Sequence, residues 1–206
     1  MESIRYTVGR DKNRREIDKP VTYNATSVKA LVKKAVNGDV EAFGEIYSIY
    51  LDRIYRYVFY QVHNKVTAED LTEEIFIKAW RGIAGYRWKG LPFSAWLYRI
   101  AHNHVVDYFR TSRQHQSLDE EFLEDGNRTE EMVEKKQILQ TLTQALSALP
   151  MQQRHIITLK FIEGFDNRKI ERITGKSQGA IRVMQMRALA LLRQKLTDGM
   201  GQCIQN

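Results

Sequence analysis

From Ser27 to Leu196 the apolar residues of this chain recur every three or four positions, and no run of Val, Ile and Thr alternates as a strand would. That is the period of helices buried along one side. Three prolines in 206 residues leave room for long helices. The expected fold class is therefore all-α. The clearest stripe is Phe43, Ile46, Tyr47, Tyr50, Ile54, Tyr57, Val58 and Gln61, on a helix that Asp39 can cap and that runs to about Val62. A shorter helix with Ala30, Leu31, Lys34 and Ala35 precedes it and stops at Asn37-Gly38. Thr67, with Asp70 three residues on, is the expected cap of a third helix over Ala68–Trp80 that buries Leu71, Ile75 and Ala79.

Pro92 opens a fourth helix, where its missing N–H costs nothing. Phe93, Leu97, Ile100, His104 and Tyr108 make its apolar face. The opposite stripe is Trp96, Arg99, Asn103, Val106, Arg110 and Arg113, and a loop with Tyr86, Arg87, Trp88 and Lys89 between Gly85 and Gly90 leads into it. Guanidiniums neutralise phosphates, an amide reads a base edge, and exposed rings stack on bases taken out of the duplex. The alternative is an ordinary solvated basic face. On the third helix Glu69, Asp70, Glu73 and Glu74 crowd the first turns. The helix dipole favours carboxylates there by about 0.3–1 kcal/mol each. Beside Phe76 and Trp80 they also make a docking surface for a basic partner.

The net charge of +7 is unevenly spread. Residues 1–34 carry a net +5, 35–114 a net +1, 115–134 a net −7 and 135–206 a net +8. Two helical blocks are thus separated by an acidic stretch, and the second block is suited to a polyanion. Residues 1–26 read as a basic flexible tail, 27–113 as the first domain, 114–134 as an acidic flexible linker, 135–197 as the second domain and 198–206 as a tail. In the second block Ile138, Leu139, Leu142, Ala145, Leu146 and Leu149 mark one helix, stopped by Pro150, and residues 154–161 another, ending at Gly164. Asp166 caps a short helix with Ile170 and Ile173. Gly175 makes the turn, and Ser177 caps a long helix buried through Ile181, Met184, Ala188 and Leu191. This is a helix-turn-helix arrangement. Gln178, Arg182, Gln185 and Leu189 fall on the outer face, where Arg and Gln can contact guanine and adenine for about 1–3 kcal/mol of discrimination each.

The single cysteine, Cys203, excludes an internal disulfide framework or a cysteine zinc site. No apolar run approaches the roughly 20 residues that span a bilayer, and the first residues lack the apolar segment of a secretory signal. A cytoplasmic protein is expected. His102 and His104 diverge on their helix and make a poor metal pair, and no nucleophile motif or Gly-rich phosphate loop is present. Neither an enzyme, nor a cofactor, nor a metal is expected.

The segments DVEAFGEIYSIYLDRIYRYVF, AEDLTEEIFIKAW and PFSAWLYRIAHNHVVDYFR resemble region 2 of bacterial RNA polymerase sigma factors. ALSALPMQQRHIITLKFIEGFDNRKIERITGKSQGAIRVMQMRALALLR resembles their region 4. The short length between them is similar to the extracytoplasmic-function (ECF) group. The resemblance implies a subunit that binds core RNA polymerase through its β′ and β subunits and engages promoter DNA, both duplex and melted. An anti-sigma partner often goes with the family. Asp70, Glu73 and Glu74 match the acidic positions that engage the β′ coiled coil, with Phe76 and Trp80 on the same helix. Residues 84–91, including Tyr86, Arg87, Trp88 and Lys89, match the loop that captures a flipped minus-ten base. Trp96, Arg99 and Asn103 match positions at the upstream edge of the melted DNA, and Arg110 and Arg113 extend that stripe. Lys176, Ser177, Gln178, Arg182, Gln185 and Arg187 lie where the family reads the minus-thirty-five element. Glu73 departs from a usual glutamine, and Lys169-Ile170-Glu171 departs from a usual Glu-Ile-Ala. The competing reading is a dimeric, stand-alone helix-turn-helix regulator. The acids and the Trp/Arg/Lys loop speak against it, because a dimer interface has no need of them.

Overall fold

The computed structural model describes residues 25–88, 90–112 and 141–203. Residues 1–24, Lys89 and residues 113–140 lie outside the described residues; the last stretch holds Arg113, the whole acidic linker and the expected helix residues Ile138 and Leu139. Among the described residues the regular elements are helices: α1 (Ala25–Val36), α2 (Val40–Val62), α3 (Lys65–Ile83), α4 (Phe93–Ser112), α5 (residues 141–147), α6 (Met151–Ile157), α7 (Asn167–Thr174) and α8 (Gln178–Cys203). A π-helical turn, Thr158–Ile162, continues α6.

Local chemistry accounts for most of the boundaries. Gly38 turns the chain with φ 93°, and Asp39 Oδ1 then accepts the Ala42 N–H at 2.9 Å to start α2. The expected cap at Thr67 is one turn late. Asn64 Oδ1 accepts the Thr67 N–H at 2.8 Å, so α3 begins at Lys65 and Thr67 is already helical. The competing acceptor lies earlier in sequence, and the chain takes the extra turn that it stabilises. In the second block Asp166 Oδ1 accepts the Lys169 N–H at 2.8 Å, Gly175 closes α7 at φ 72°, and Ser177 Oγ accepts the Ala180 N–H at 3.3 Å. α8 runs past the expected end of the second domain to Cys203.

α2 is the central rod. Its expected stripe is buried at Ile46, Tyr50, Ile54, Tyr57, Val58 and Gln61. α1, α3, α4 and, from the second block, α6 and the π turn all pack against it. The two helical blocks share one core: Ile156, Leu159, Phe165, Ile170, Ile173 and Ile181 join the cluster that contains Ile46, Ile75 and Leu97. A smaller cluster places Tyr60 of α2 against Leu146, Leu149, Ile157 and Ala188.

This shared core corrects the reading of α4. Tyr98, Ala101, His102 and Val105 are buried alongside Phe93 and Leu97, so α4 has a much wider inner face than its stripe suggested. The cause is that α3 flanks it on one side and α7 on the other. Leu191, expected inside, is exposed on α8.

Polar groups are buried at the same junction. The side chain of Glu163, just after the π turn, is fully buried. It lies 3.2 Å from Arg53 Nη2 and 3.5 Å from Arg56 Nη2 on α2, and it accepts the Tyr98 hydroxyl from α4. The Tyr57 hydroxyl and His155 Nδ1 share a hydrogen bond at 2.8 Å, with the His102 ring 4.6 Å from the His155 ring, centroid to centroid. Gln61 Nε2 donates to Thr158 Oγ1 at 3.2 Å, and Arg154 Nη1 donates to the Gln61 carbonyl at 2.7 Å.

Burial lowers the pKa of both histidines, helped by nearby Lys176. His102 falls to about 4 and His155 falls well below its ordinary value. Both are therefore neutral in the folded protein at pH 7. An unfolded chain takes up their protons below about pH 6.5, whereas the folded chain does not until far lower. Stability is complete above that pH and falls as pH drops toward 4, by up to about 1.4 kcal/mol per pH unit for each histidine. We expect thermal unfolding followed by circular dichroism to give a flat Tm between pH 7 and 8 and a falling one from 6.5 to 5. A Tm flat down to pH 5 would contradict the neutral buried pair.

Candidate nucleic-acid interface

Three surfaces carry the expected site residues. The first is the outer ridge of α3. Helical spacing aligns Val66, Asp70, Glu73 and Ile77, and all four are exposed. Trp80 is 37% exposed, with its ring packed on Phe43 at 4.9 Å, so it offers an edge rather than a free ring. Phe76 does not belong to this ridge. It is buried edge-on against Tyr47 and supports the ridge from beneath. Glu74 is exposed but engaged: its carboxylate lies 2.8 Å from His104 Nε2 on α4, and Lys78 Nζ lies 2.6 Å from His104 Nδ1. Asp70 and Glu73 are the carboxylates of the set without an ion-pair partner among the described residues. Val66 was missed because the helix was expected to begin only at Ala68, and Ile77 because it lies off the Leu71, Ile75 and Ala79 stripe.

The second surface is the loop between α3 and α4. Gly85 N–H donates to Gly82 O and Tyr86 N–H to Ile83 O, so the chain turns tightly at the end of α3, and Gly90 takes φ 73°. Tyr86, expected to face DNA, is buried instead, with its ring against Phe93 at 5.4 Å and Trp96 at 5.3 Å. Its burial raises the phenol's pKa. Arg87 donates to the Ala84 and Tyr86 carbonyls at 3.0 and 3.1 Å, which braces the turn. Trp88 is the ring left outside, 46% exposed, with Lys29 Nζ of α1 5.4 Å from its centroid. Lys29 was missed because nothing in its own segment marks it. Trp96 is half-buried, close under Gly82. Beyond it Arg99, Asn103 and Arg110 are exposed on one stripe of α4, Arg110 paired with Asp107 at 3.1 Å.

The third surface is α8. Arg182 and Arg187 are exposed. Lys176 is half-buried in the turn, and Ser177 is occupied as a cap. Gln178 and Gln185 are not free outer-face groups. Gln178 Nε2 donates to Glu171 Oε2 at 2.9 Å and Gln185 Nε2 to Asn167 Oδ1 at 3.1 Å, both on α7. Between α4 and α7 lies a cleft of about 520 Å³, lined by Arg99, Asn103, Glu171, Arg172, Thr174 and Gly175. The α4 stripe of the second surface therefore faces the end of α7 across it, and its lining stops short of α8.

Residues 46–115 match the Sigma-70 region 2 family and residues 139–192 the Sigma-70 region 4 family. The ECF RNA polymerase sigma factor BldN of Streptomyces coelicolor is 38% identical over 173 residues, covering 82% of this chain and 65% of BldN. The ECF sigma factor SigW of Bacillus subtilis is 31% identical over 183 residues, covering 83% of this chain and 97% of SigW. Among solved structures, CnrH in complex with the cytosolic domain of CnrY shares the fold with a TM-score of 0.65 at 22% identity, over 85% of this chain and 99% of CnrH. RpoE of Bartonella quintana, in complex with the anti-sigma factor NepR, shares it at 0.60 and 24% identity, over 75% of this chain and 96% of RpoE. No helix among the described residues is long and apolar enough to cross a membrane. With both regions matched in order, and with a relative matched over nearly its whole length, the chain belongs to the ECF sigma factors of bacterial RNA polymerase.

Proposed function

We propose that this chain binds core RNA polymerase, directs it to specific promoters and assists strand opening at transcription initiation. The observation that carries the reading is the joint presence, on one core, of an acidic ridge on α3, an exposed Trp88 beside the Arg99–Asn103 stripe, and a helix-turn-helix formed by α7 and α8. Asp70, Glu73 and the edge of Trp80 form the seat for the polymerase, with Val66 and Ile77 as its apolar contacts. Trp88 and Lys89 receive an unstacked base. Stacking contributes about 1–3 kcal/mol per base, which offsets an unpairing cost of a few kcal/mol without ATP. Arg99, Asn103, Arg110 and Arg113 hold the duplex edge, and Arg182 and Arg187 meet the upstream element in the major groove. Region 2 occupies residues 27–113 and region 4 residues 135–197. The active protein is nucleoid-associated, and an anti-sigma factor holds it when inactive, as one is bound to RpoE of Bartonella quintana. A stand-alone dimeric regulator would leave the α3 ridge without purpose.

Two outcomes test these roles. Asp70→Lys with Glu73→Lys should weaken co-purification with core polymerase at least tenfold while helicity is unchanged, and Glu74→Gln should weaken it less, because Glu74 already faces His104. Equal retention of all three proteins on core would refute the seat. In run-off transcription with purified core on a genomic promoter library, Arg182→Ala should shift preference at the upstream element by about tenfold, equivalent to about 1.4 kcal/mol. A uniform loss over all promoters would assign Arg182 to phosphate contact instead.

A further inference from the structure

We propose that Val183 and Met186 make α8 a reader of thymine methyl groups, so that the upstream element this chain selects carries thymine where the two side chains meet the major groove. The inference rests on the sigma-factor reading for the placement of α8 and adds which base edges its apolar surface takes. Ile181 and Ala188 turn one side of α8 into the core. The helical period then puts Val183 and Met186 on the opposite side, where they are 42% and 66% exposed. They stand three residues apart and form one continuous strip. Gln178 and Gln185, the nearest amides, are drawn toward α7 by Glu171 and Asn167. Arg182 and Arg187 are exposed on the two borders of the strip, and α8 carries no acidic residue before Asp198. An apolar strip edged by guanidiniums suits a groove whose rims are phosphates and whose floor is bases.

The strip discriminates by what it lacks. On the major-groove floor every base pair shows donors and acceptors, but only thymine shows a methyl group. A side chain with no donor or acceptor, pressed onto guanine, adenine or cytosine, displaces water and replaces none of its hydrogen bonds, which is costly. Against a thymine methyl it removes apolar surface from water on both partners. The first turns of a recognition helix are the ones that reach base edges. Val183 and Met186 lie within the first three turns of α8, which begins at Gln178. Arg182 supplies the hydrogen-bonding part of the readout, and the strip adds the methyl part.

Deoxyuridine tests this directly, because it removes the 5-methyl group and keeps the hydrogen-bonding edge of thymine. Upstream elements are selected from a promoter library by run-off transcription with the full chain on core polymerase, and thymines are then replaced by deoxyuridine in that element alone. The selected elements should hold thymine at constant positions, and with the parent protein transcription should fall about threefold for each methyl contacted. Met186→Ala and Val183→Ala should each lower output on the thymine template and lose the thymine–uracil difference at the position that side chain touches. Both positions are exposed, so helicity in circular dichroism should be unchanged. Equal output from thymine and uracil templates with the parent would overturn the proposal, and that result needs no variant to fold. A loss in the alanine variants that is the same on both templates would assign the strip to a protein partner and overturn it too. If the parent gives no start-site-specific RNA on any template, the sigma-factor reading has failed. The thymine–uracil comparison is then made by gel shift of the full chain on duplexes that it selects from a random pool, and the same outcomes decide.

Discussion

A carboxylate with no solvent contact sits where α2, α4 and the π turn converge; its Oε2 takes the hydrogen bonds from Arg53 and Tyr98, and its Oε1 faces Arg56 at 3.5 Å without one. Glu163 has two guanidiniums and a phenol around it. Stripping water from a charge costs several kcal/mol, and that is recovered only where donors are in place. The chain supplies them from opposite directions: Arg53 and Arg56 keep their outer edges in water, and Tyr98 comes from the buried side. The π turn contributes too, because its wider ring lets the Glu163 N–H return to Thr158 O at 3.0 Å and places the side chain against α2. Such a pair adds little net stability compared with a well-packed apolar cluster, but it is intolerant of misalignment. It therefore selects one docking of the two blocks from among the many that apolar surfaces alone would allow.

The same docking determines which residues of α4 remain for function. Three neighbours, α2, α3 and α7, claim most of the helix and leave Phe93, Leu97, Tyr98, Ala101, His102 and Val105 buried. What is left is the narrow stripe of Arg99, Asn103 and Arg110. At the N-terminal end of that stripe the aromatic cluster of Tyr86, Phe93 and Trp96 holds the loop backbone, and Trp88 projects from it with its ring edge-on to Tyr86 at 6.3 Å. A ring presented on a rigid base loses less conformational entropy on stacking than one on a floppy loop.

Features encoded by short-range chemistry are legible in the amino-acid sequence itself. Asp39, Asp166, Gly175 and Ser177 act within three or four residues of themselves, and each does what its type and spacing predict. The failure at Thr67 is of the same local kind: Asn64 and Thr67 both precede an acid-rich helix, and only the backbone shows which oxygen accepts. Residues placed by distant partners are not legible in this way. Phe76 and Tyr86 look like ligand-facing aromatics because they stand beside charges, yet Tyr47 and Phe93, from other helices, enclose them. Tyr98 lies outside the apolar stripe of α4 and becomes core because Tyr57 of α2 and Phe165, from the second block, enclose its ring. Glu163, in the turn just before Gly164, carries no motif at all, since both of its cations come from a helix more than one hundred residues earlier.

The glutamines of α8 show how packing inside the second block shapes what the block can read. Gln185 donates to Asn167, and Gln178 donates to Glu171, at the position where the family usually has a small residue. A base edge must displace these partners. For Gln185 the exchange trades one neutral hydrogen bond for another, a difference on the order of 1 kcal/mol or less. For Gln178 the partner is a carboxylate, a stronger acceptor, and displacement leaves Glu171 facing the approaching phosphates. Arg182 has no such prior commitment among the described residues. In the proposed promoter-reading role, Arg182 is the group of α8 that a base edge reaches at least cost, and Gln185 the next. Gln178 serves to hold α7 and α8 in register, which replaces the close helix contact that a small residue at Glu171 would have provided.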